Sequence, residues 1–125
     1  MIKVLLLIGT GSFCGGILRY LISQFAKEYL PGAFPFGTFA VNILGCFLIG
    51  VFYGLSEHIS GFSPELRTFL TIGFCGGFTT FSTFANESLS LLKGGNAIYF
   101  AIYAGLSVFL GILAVYLGNC TTKFV

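Results

Sequence analysis

The run Gly73-Phe74-Cys75-Gly76-Gly77-Phe78-Thr79-Thr80-Phe81-Ser82-Thr83-Phe84 sets three glycines and four hydroxyl side chains inside an otherwise apolar stretch. Glycine pairs loosen a helix, and bare backbone at membrane depth survives only where protein or a water-filled cavity satisfies it. A helix broken there frees carbonyl oxygens, and converging carbonyls coordinate alkali cations. Phe81 and Phe84 are three apart and share a helical face. Such pairs usually serve packing. Their electrostatics allow more, because the ring edge is positive and can favour a small anion without a counter-charge that holds it too tightly. Thr79, Thr80, Ser82 and Thr83 add hydrogen-bond donors beside them. A phosphate or carboxylate site would show Arg or Lys clusters instead.

Other polar groups lie within apolar sequence. Arg19 sits deep in the first apolar segment, where an arginine costs about 2.5–3.5 kcal/mol at a membrane centre. Two readings are open: it snorkels to the headgroups near Lys27, or it stands as a fixed positive charge in an aqueous vestibule that attracts an anion. Asn42 either ties helices together or turns its amide donor towards a permeating anion. Tyr103 and Ser107 are four apart and can continue a line of hydroxyls on the last segment. Glu87 is either a solvated end charge or a group at the mouth of a pathway.

The elements that must carry these groups are membrane helices. Hydrophobic residues make up 56% of the chain and charged residues 8%, with no aspartate, against about 25% charged in a soluble domain. Mean hydropathy is +0.97. At roughly 20 residues per span the chain holds four spans and no soluble domain. They run about Val4–Phe25, Phe36–Leu55, Leu66–Leu92 (interrupted at the glycine–threonine run) and Ala97–Gly118, with Lys93-Gly94-Gly95-Asn96 a strong stop signal. The apolar run from Ile2 continues through Phe25 without a small-residue cleavage site, so it reads as a span and not a signal peptide. The expectation is an all-α membrane protein, one four-helix transmembrane domain over residues 1–125 whose third helix is broken at its middle.

Orientation is nearly undetermined. Four spans put Lys3, Arg67 and Lys123 on one side and Lys27 and Lys93 on the other, a bias of one charge. Either the termini are cytoplasmic or both orientations insert and pair antiparallel. Gly11 with Gly15, Gly50 with Gly54, and Gly73 with Gly77 are spaced for close helix contact, within a subunit or between copies. Cys14, Cys46, Cys75 and Cys120 have no metal-ligand spacing and read as buried free thiols. His58 reads as a surface loop residue beside Glu57.

Together Gly15-Gly16-Ile17-Leu18-Arg19-Tyr20, Gly37-Thr38-Phe39-Ala40-Val41-Asn42 and the Gly73–Phe84 run resemble the CrcB/Fluc family of fluoride channels. The resemblance covers nearly the whole chain, and the third motif is the most specific. It implies an antiparallel, dual-topology homodimer in a bacterial inner membrane, with two pores for F⁻. By the same resemblance Phe81 and Phe84 are the pore rings, Asn42 the second-span amide and Arg19 the vestibule arginine. Thr38, Thr80, Ser82, Thr83, Tyr103, Ser107 and Glu87 are further candidates along the pore. Gly76 and Thr79 correspond to the carbonyls that hold a structural Na⁺ at the dimer centre. Family pores carry a hydroxyl one turn beyond Ser107, where this chain has Gly111. The partners expected are a second copy, F⁻ and lipid, with no nucleic acid, and no enzymatic activity. The main rival is a small proton-coupled multidrug transporter, which needs a membrane-embedded carboxylate. A non-transporting subunit of a larger complex leaves the hydroxyl and phenylalanine clustering unexplained.

Overall fold

A computed structural model describes residues 1–124 of the chain. Helix α1 (Ile2–Tyr29) carries Lys27 in its last turn, where a cation complements the helix dipole, and Pro31 stands just beyond. Helix α2 (Phe36–His58) starts directly after Pro35. Ser63 caps α3 (Pro64–Thr68): its Oγ accepts the Leu66 N–H at 3.1 Å, with proline at the first helical position and Glu65 in the first turn. The chain then shifts into a π-helical stretch over Phe69–Cys75 and returns to α geometry for α4 (Gly76–Phe78). Thr79 is extended (φ −84°, ψ 158°), and α5 runs Ser82–Lys93. The expected stop follows Lys93, with Gly95 in the left-handed region (φ 78°) and the Asn96 N–H returning to Leu91 O at 2.8 Å. Helix α6 (Ala97–Thr121) ends in a short 3₁₀ turn, Thr122–Phe124.

Three helical stretches are long and apolar enough to cross a membrane: Ile2–Tyr29, Phe36–His58 and Ala97–Phe124. They are longer than their expected apolar cores, because the polar ends stay helical. The Pro64–Lys93 segment differs. It is a succession of four helical pieces, because the π stretch and the break divide it.

Small residues set the packing. A Cβ on Gly11 would meet the backbone of Phe69, Gly73 and Phe74, and one on Gly15 would meet Phe74 O and the Phe78 nitrogen. Gly73 and Gly77 present the complementary surface, against Gly11 and Ser12. Gly50 and Gly54 lie against Val115 and Thr122, and Gly118 lies against Phe47. All three glycine pairs are therefore spent inside one subunit, bringing α1 onto Phe69–Phe78 and α2 onto α6 at backbone contact.

The start of α1, the 59–63 turn and Thr122 lie at one end, where Lys3 pairs with Glu65 at 3.5 Å, Arg67 stacks over Tyr53 at 4.9 Å and Thr122 meets Gly54. The cysteines are free, but only Cys75 is buried; Cys14 is exposed on α1, at the edge of the face that Gly11 and Gly15 bury, and Cys46 and Cys120 are half-buried. His58 is exposed as expected, yet it closes α2 and is not in a loop. Large side chains such as Phe13, Phe109, Ile112 and Tyr116 cover the outside.

Candidate functional site

The break can be read carbonyl by carbonyl. Cys75 O accepts the Thr79 N–H at 3.0 Å and the Thr79 hydroxyl at 2.9 Å. Gly76 O would accept the Thr80 N–H in a continuous helix, but that N–H donates to Asn42 Oδ1 at 2.8 Å. Gly77 O accepts Arg19 Nε–H at 3.3 Å. Thr79 O would receive the Thr83 N–H, which instead donates to the Thr80 hydroxyl at 3.3 Å. Thr80 O accepts from Asn42 Nδ2 at 3.0 Å. Side chains thus divert the helical donors of Gly76 O and Thr79 O, the two carbonyls singled out as cation ligands.

Two neighbouring helices deliver those side chains. Gly15 lets α1 touch the backbone of Phe74 and Phe78, and Arg19, one turn later, turns inward to Gly77. Its guanidinium passes over Gly16, where an added Cβ would lie 3.9 Å from the terminal nitrogen. A charge-assisted bond of this kind contributes about 1.5–3 kcal/mol, so the arginine has a reason not to reach for the headgroups. Gly45 does the same on α2. A Cβ there would overlap the Thr79 methyl and crowd the Phe78 ring, and Asn42, three residues earlier, brackets Thr80 with both ends of its amide. One hydrogen of the Asn42 NH₂ remains for another acceptor.

A cavity of about 340 Å³ opens on the outer side of the break. It gathers Asn42, Gly76, Thr79, Thr80, Phe81, Phe84 and Ser107 with Cys46, Thr71 and Val108. Phe81 is 78% exposed, and its ring centroid lies 5.7 Å from that of Phe84. Ser107 Oγ is buried without a hydrogen-bond partner among the described residues. Residues far apart in sequence thus converge where the three motifs meet, and the profile of the family described as CrcB-like protein, Camphor Resistance (CrcB), matches residues 6–119. The chain belongs to the CrcB family. It is 53% identical over 120 residues to the "Fluoride-specific ion channel FluC" of Bacteroides fragilis (strain ATCC 25285), covering 94% of each chain. Identity to the protein of the same name from Phocaeicola vulgatus is 56% over 116 residues, 93% of this chain and 95% of the relative. With that of Flavobacterium psychrophilum it is 43% over 121 residues, 97% and 98%. The three long apolar helices fit a multi-pass membrane protein.

The remaining candidates of this CrcB chain fall into a second group. Tyr103 is fully buried and donates its hydroxyl to Glu87 Oε1 at 3.2 Å. Phe84 packs on Tyr103 at 5.0 Å, and Phe34 closes the other side at 5.5 Å. Glu87 and Thr38 line a separate cavity of about 470 Å³ near Lys27, Ser23, Ser90 and Asn96. Tyr103 and Ser107 share a face of α6 yet do different things, because the aromatic cluster encloses the first and the open cavity receives the second. Ser82 is exposed, 3.4 Å from the Thr80 hydroxyl, and Thr83 supplies its N–H to that hydroxyl. Gly111 is buried, with Cys46 Sγ 3.5 Å from where its Cβ would be. Sequence reasoning gave no role to Gly45, Phe34 or Ser12, whose hydroxyl donates to Gly73 O at 3.2 Å. The three-residue spacing from Asn42 was the available signal for Gly45.

Among the described residues no three His, Cys, Asp or Glu groups converge, so a cation here would rest on carbonyls. The break also separates charge. The end of α4 presents the negative pole of its peptide dipoles, and the start of α5 presents the positive pole to the ring side. One side suits a cation, the other an anion.

Proposed function

We propose that this chain is a fluoride-selective channel through which F⁻ leaves the cytoplasm passively. One observation carries the reading: the cavity over the break unites Asn42, Thr80, Phe81, Phe84 and Ser107 in a chain that matches fluoride-specific channels along nearly its whole length. The positive ring edges, the spare Asn42 hydrogen and the unpartnered Ser107 hydroxyl are donors of modest strength. They suit an anion that must bind and leave quickly.

The working unit is an antiparallel, dual-topology homodimer in the bacterial inner membrane, with Leu66–Leu92 as the third of four crossings and two pores per dimer. The charge bias of one residue between the two ends supports dual insertion. Phe81, 78% exposed in a single chain, is completed by the second copy. A structural Na⁺ at the dimer centre fits Gly76 O and Thr79 O, whose helical donors are diverted. Two carbonyls are too few for the ion, and a second copy doubles them. When bound, the ion supplies charge that holds the two breaks together. Thr38, Thr80, Ser82, Thr83, Tyr103 and Glu87 border the route.

HF enters cells as a neutral acid and ionises in the more alkaline interior, and an inside-negative potential then drives F⁻ out. A proton-coupled exporter has only Glu87 as a carboxylate away from the helix ends, and that group already accepts the Tyr103 hydroxyl. The test is efflux from liposomes under a K⁺ gradient with valinomycin. Rapid F⁻ release with Cl⁻ release near background is expected, and equal rates for the two anions would end the selectivity reading. A C-terminal tag detected on only one membrane face would end dual topology.

A further inference from the structure

Arg19 does not point to a pathway: its Nε–H donates to Gly77 O, between the two carbonyls whose helical donors are diverted. We infer that Arg19 is a positioning residue, whose donor at Nε fixes the peptide plane between Gly77 and Phe78 and thereby aims Gly76 O and Thr79 O at the cation. The inference rests on the Na⁺ site proposed above. It deepens that reading by assigning Arg19 to the cation side of the break and not to attraction of the anion.

Several observations lead there. Asn42 clamps the break from α2 by two bonds to Thr80, and Arg19 is the only side chain that reaches the Gly77 carbonyl from α1 among the described residues. The backbone contact of Gly15 with Phe74 and Phe78 brings α1 close enough for this reach. A positive group at the carbonyl end of α4 is also where the helix dipole favours it.

The donor atom makes the two roles separable. Glutamine places Nε2 as many bonds from Cα as arginine places Nε, so Arg19→Gln keeps the donor and removes the charge. Arg19→Met keeps the chain length and removes both. Purified parent and variants would be melted across a Na⁺ series, with N-methylglucamine replacing Na⁺, and the Na⁺ concentration for half-maximal stabilisation would be read. For Arg19→Gln it should stay within about threefold of the parent, and for Arg19→Met it should rise about tenfold or more, the effect of roughly 1.4 kcal/mol. Equal shifts in both variants would overturn the inference. If Arg19→Met does not fold, Arg19→Gln alone decides, because loss of its Na⁺ response contradicts a role for the donor. If the parent shows no Na⁺ response, the inference falls together with the Na⁺ site on which it rests. Flux of F⁻ through the parent is scored separately, so failure of the channel reading is distinguishable.

Discussion

The two halves of the third apolar segment are built differently. Up to Thr80 the backbone is gripped from both sides, by glycine contacts with α1 and by the Gly45 contact with α2, and Arg19 and Asn42 hold its carbonyls. From Phe81 onward the grip loosens. Within α5 only Ser88 and Leu91 are buried, and Phe81 stands largely in the open. The lesson is a division of labour within one segment. The first half fixes a frame that one chain can complete, while the second presents rings and hydroxyls to whatever meets it next.

Breaking the frame should cost most. Gly15→Val would drive its side chain into Phe74 O and the Phe78 nitrogen, and backbone cannot step aside. A loss of about 3 kcal/mol or more is expected, seen as failure to assemble or a large drop in the unfolding midpoint. Asn42→Ala comes next, since it removes both bonds to Thr80 and leaves a part-buried N–H and C=O unpaired, about 1–3 kcal/mol. Both F⁻ flux and thermal midpoint should fall.

The ring half should respond in function more than in stability. Phe84→Ile loses the 5.0 Å packing on Tyr103, worth about 0.5–1.5 kcal/mol, whereas Phe81→Ile loses almost no buried contact. Both should reduce F⁻ efflux while the dimer still assembles. Parental flux in both would return the rings to packing and erase the contrast between halves.

Least affected should be Glu65→Gln, at the exposed start of the segment. The Glu65 carboxyl is held below its usual range first by a backbone N–H at the helix start and then by Lys3. Its contribution is therefore present above the ordinary carboxylate pKa and lost as pH falls through the lowered value. The variant should match the parent at neutral pH in moderate salt, where such exposed pairs are screened. Whatever difference remains should be seen at neutral pH and low salt in unfolding measurements, and it should vanish at acidic pH once the carboxyl is protonated.

Local signals made much of this legible. Lys93-Gly94-Gly95-Asn96 announces its helix boundary, and the glycine–threonine run announces the break, whereas the Ser63 cap that starts the segment at Pro64 reads in the sequence as part of a turn. The π stretch over Phe69–Cys75 was not legible, because no residue type encodes a shift in hydrogen-bond phase imposed by packing against α1. Arg19 and Asn42 stood out as polar groups needing partners, but Gly77 and Thr80 lie 58 and 38 residues away. Only the fold pairs them. The glycine pairs likewise showed close contact without naming the neighbour.

The most direct test of the central claim is the reversal potential of the purified protein in a planar bilayer between NaF and NaCl solutions. The account predicts a potential that follows the F⁻ gradient and is indifferent to Cl⁻. A potential set by Cl⁻, or the absence of any anion current from assembled protein, would contradict it.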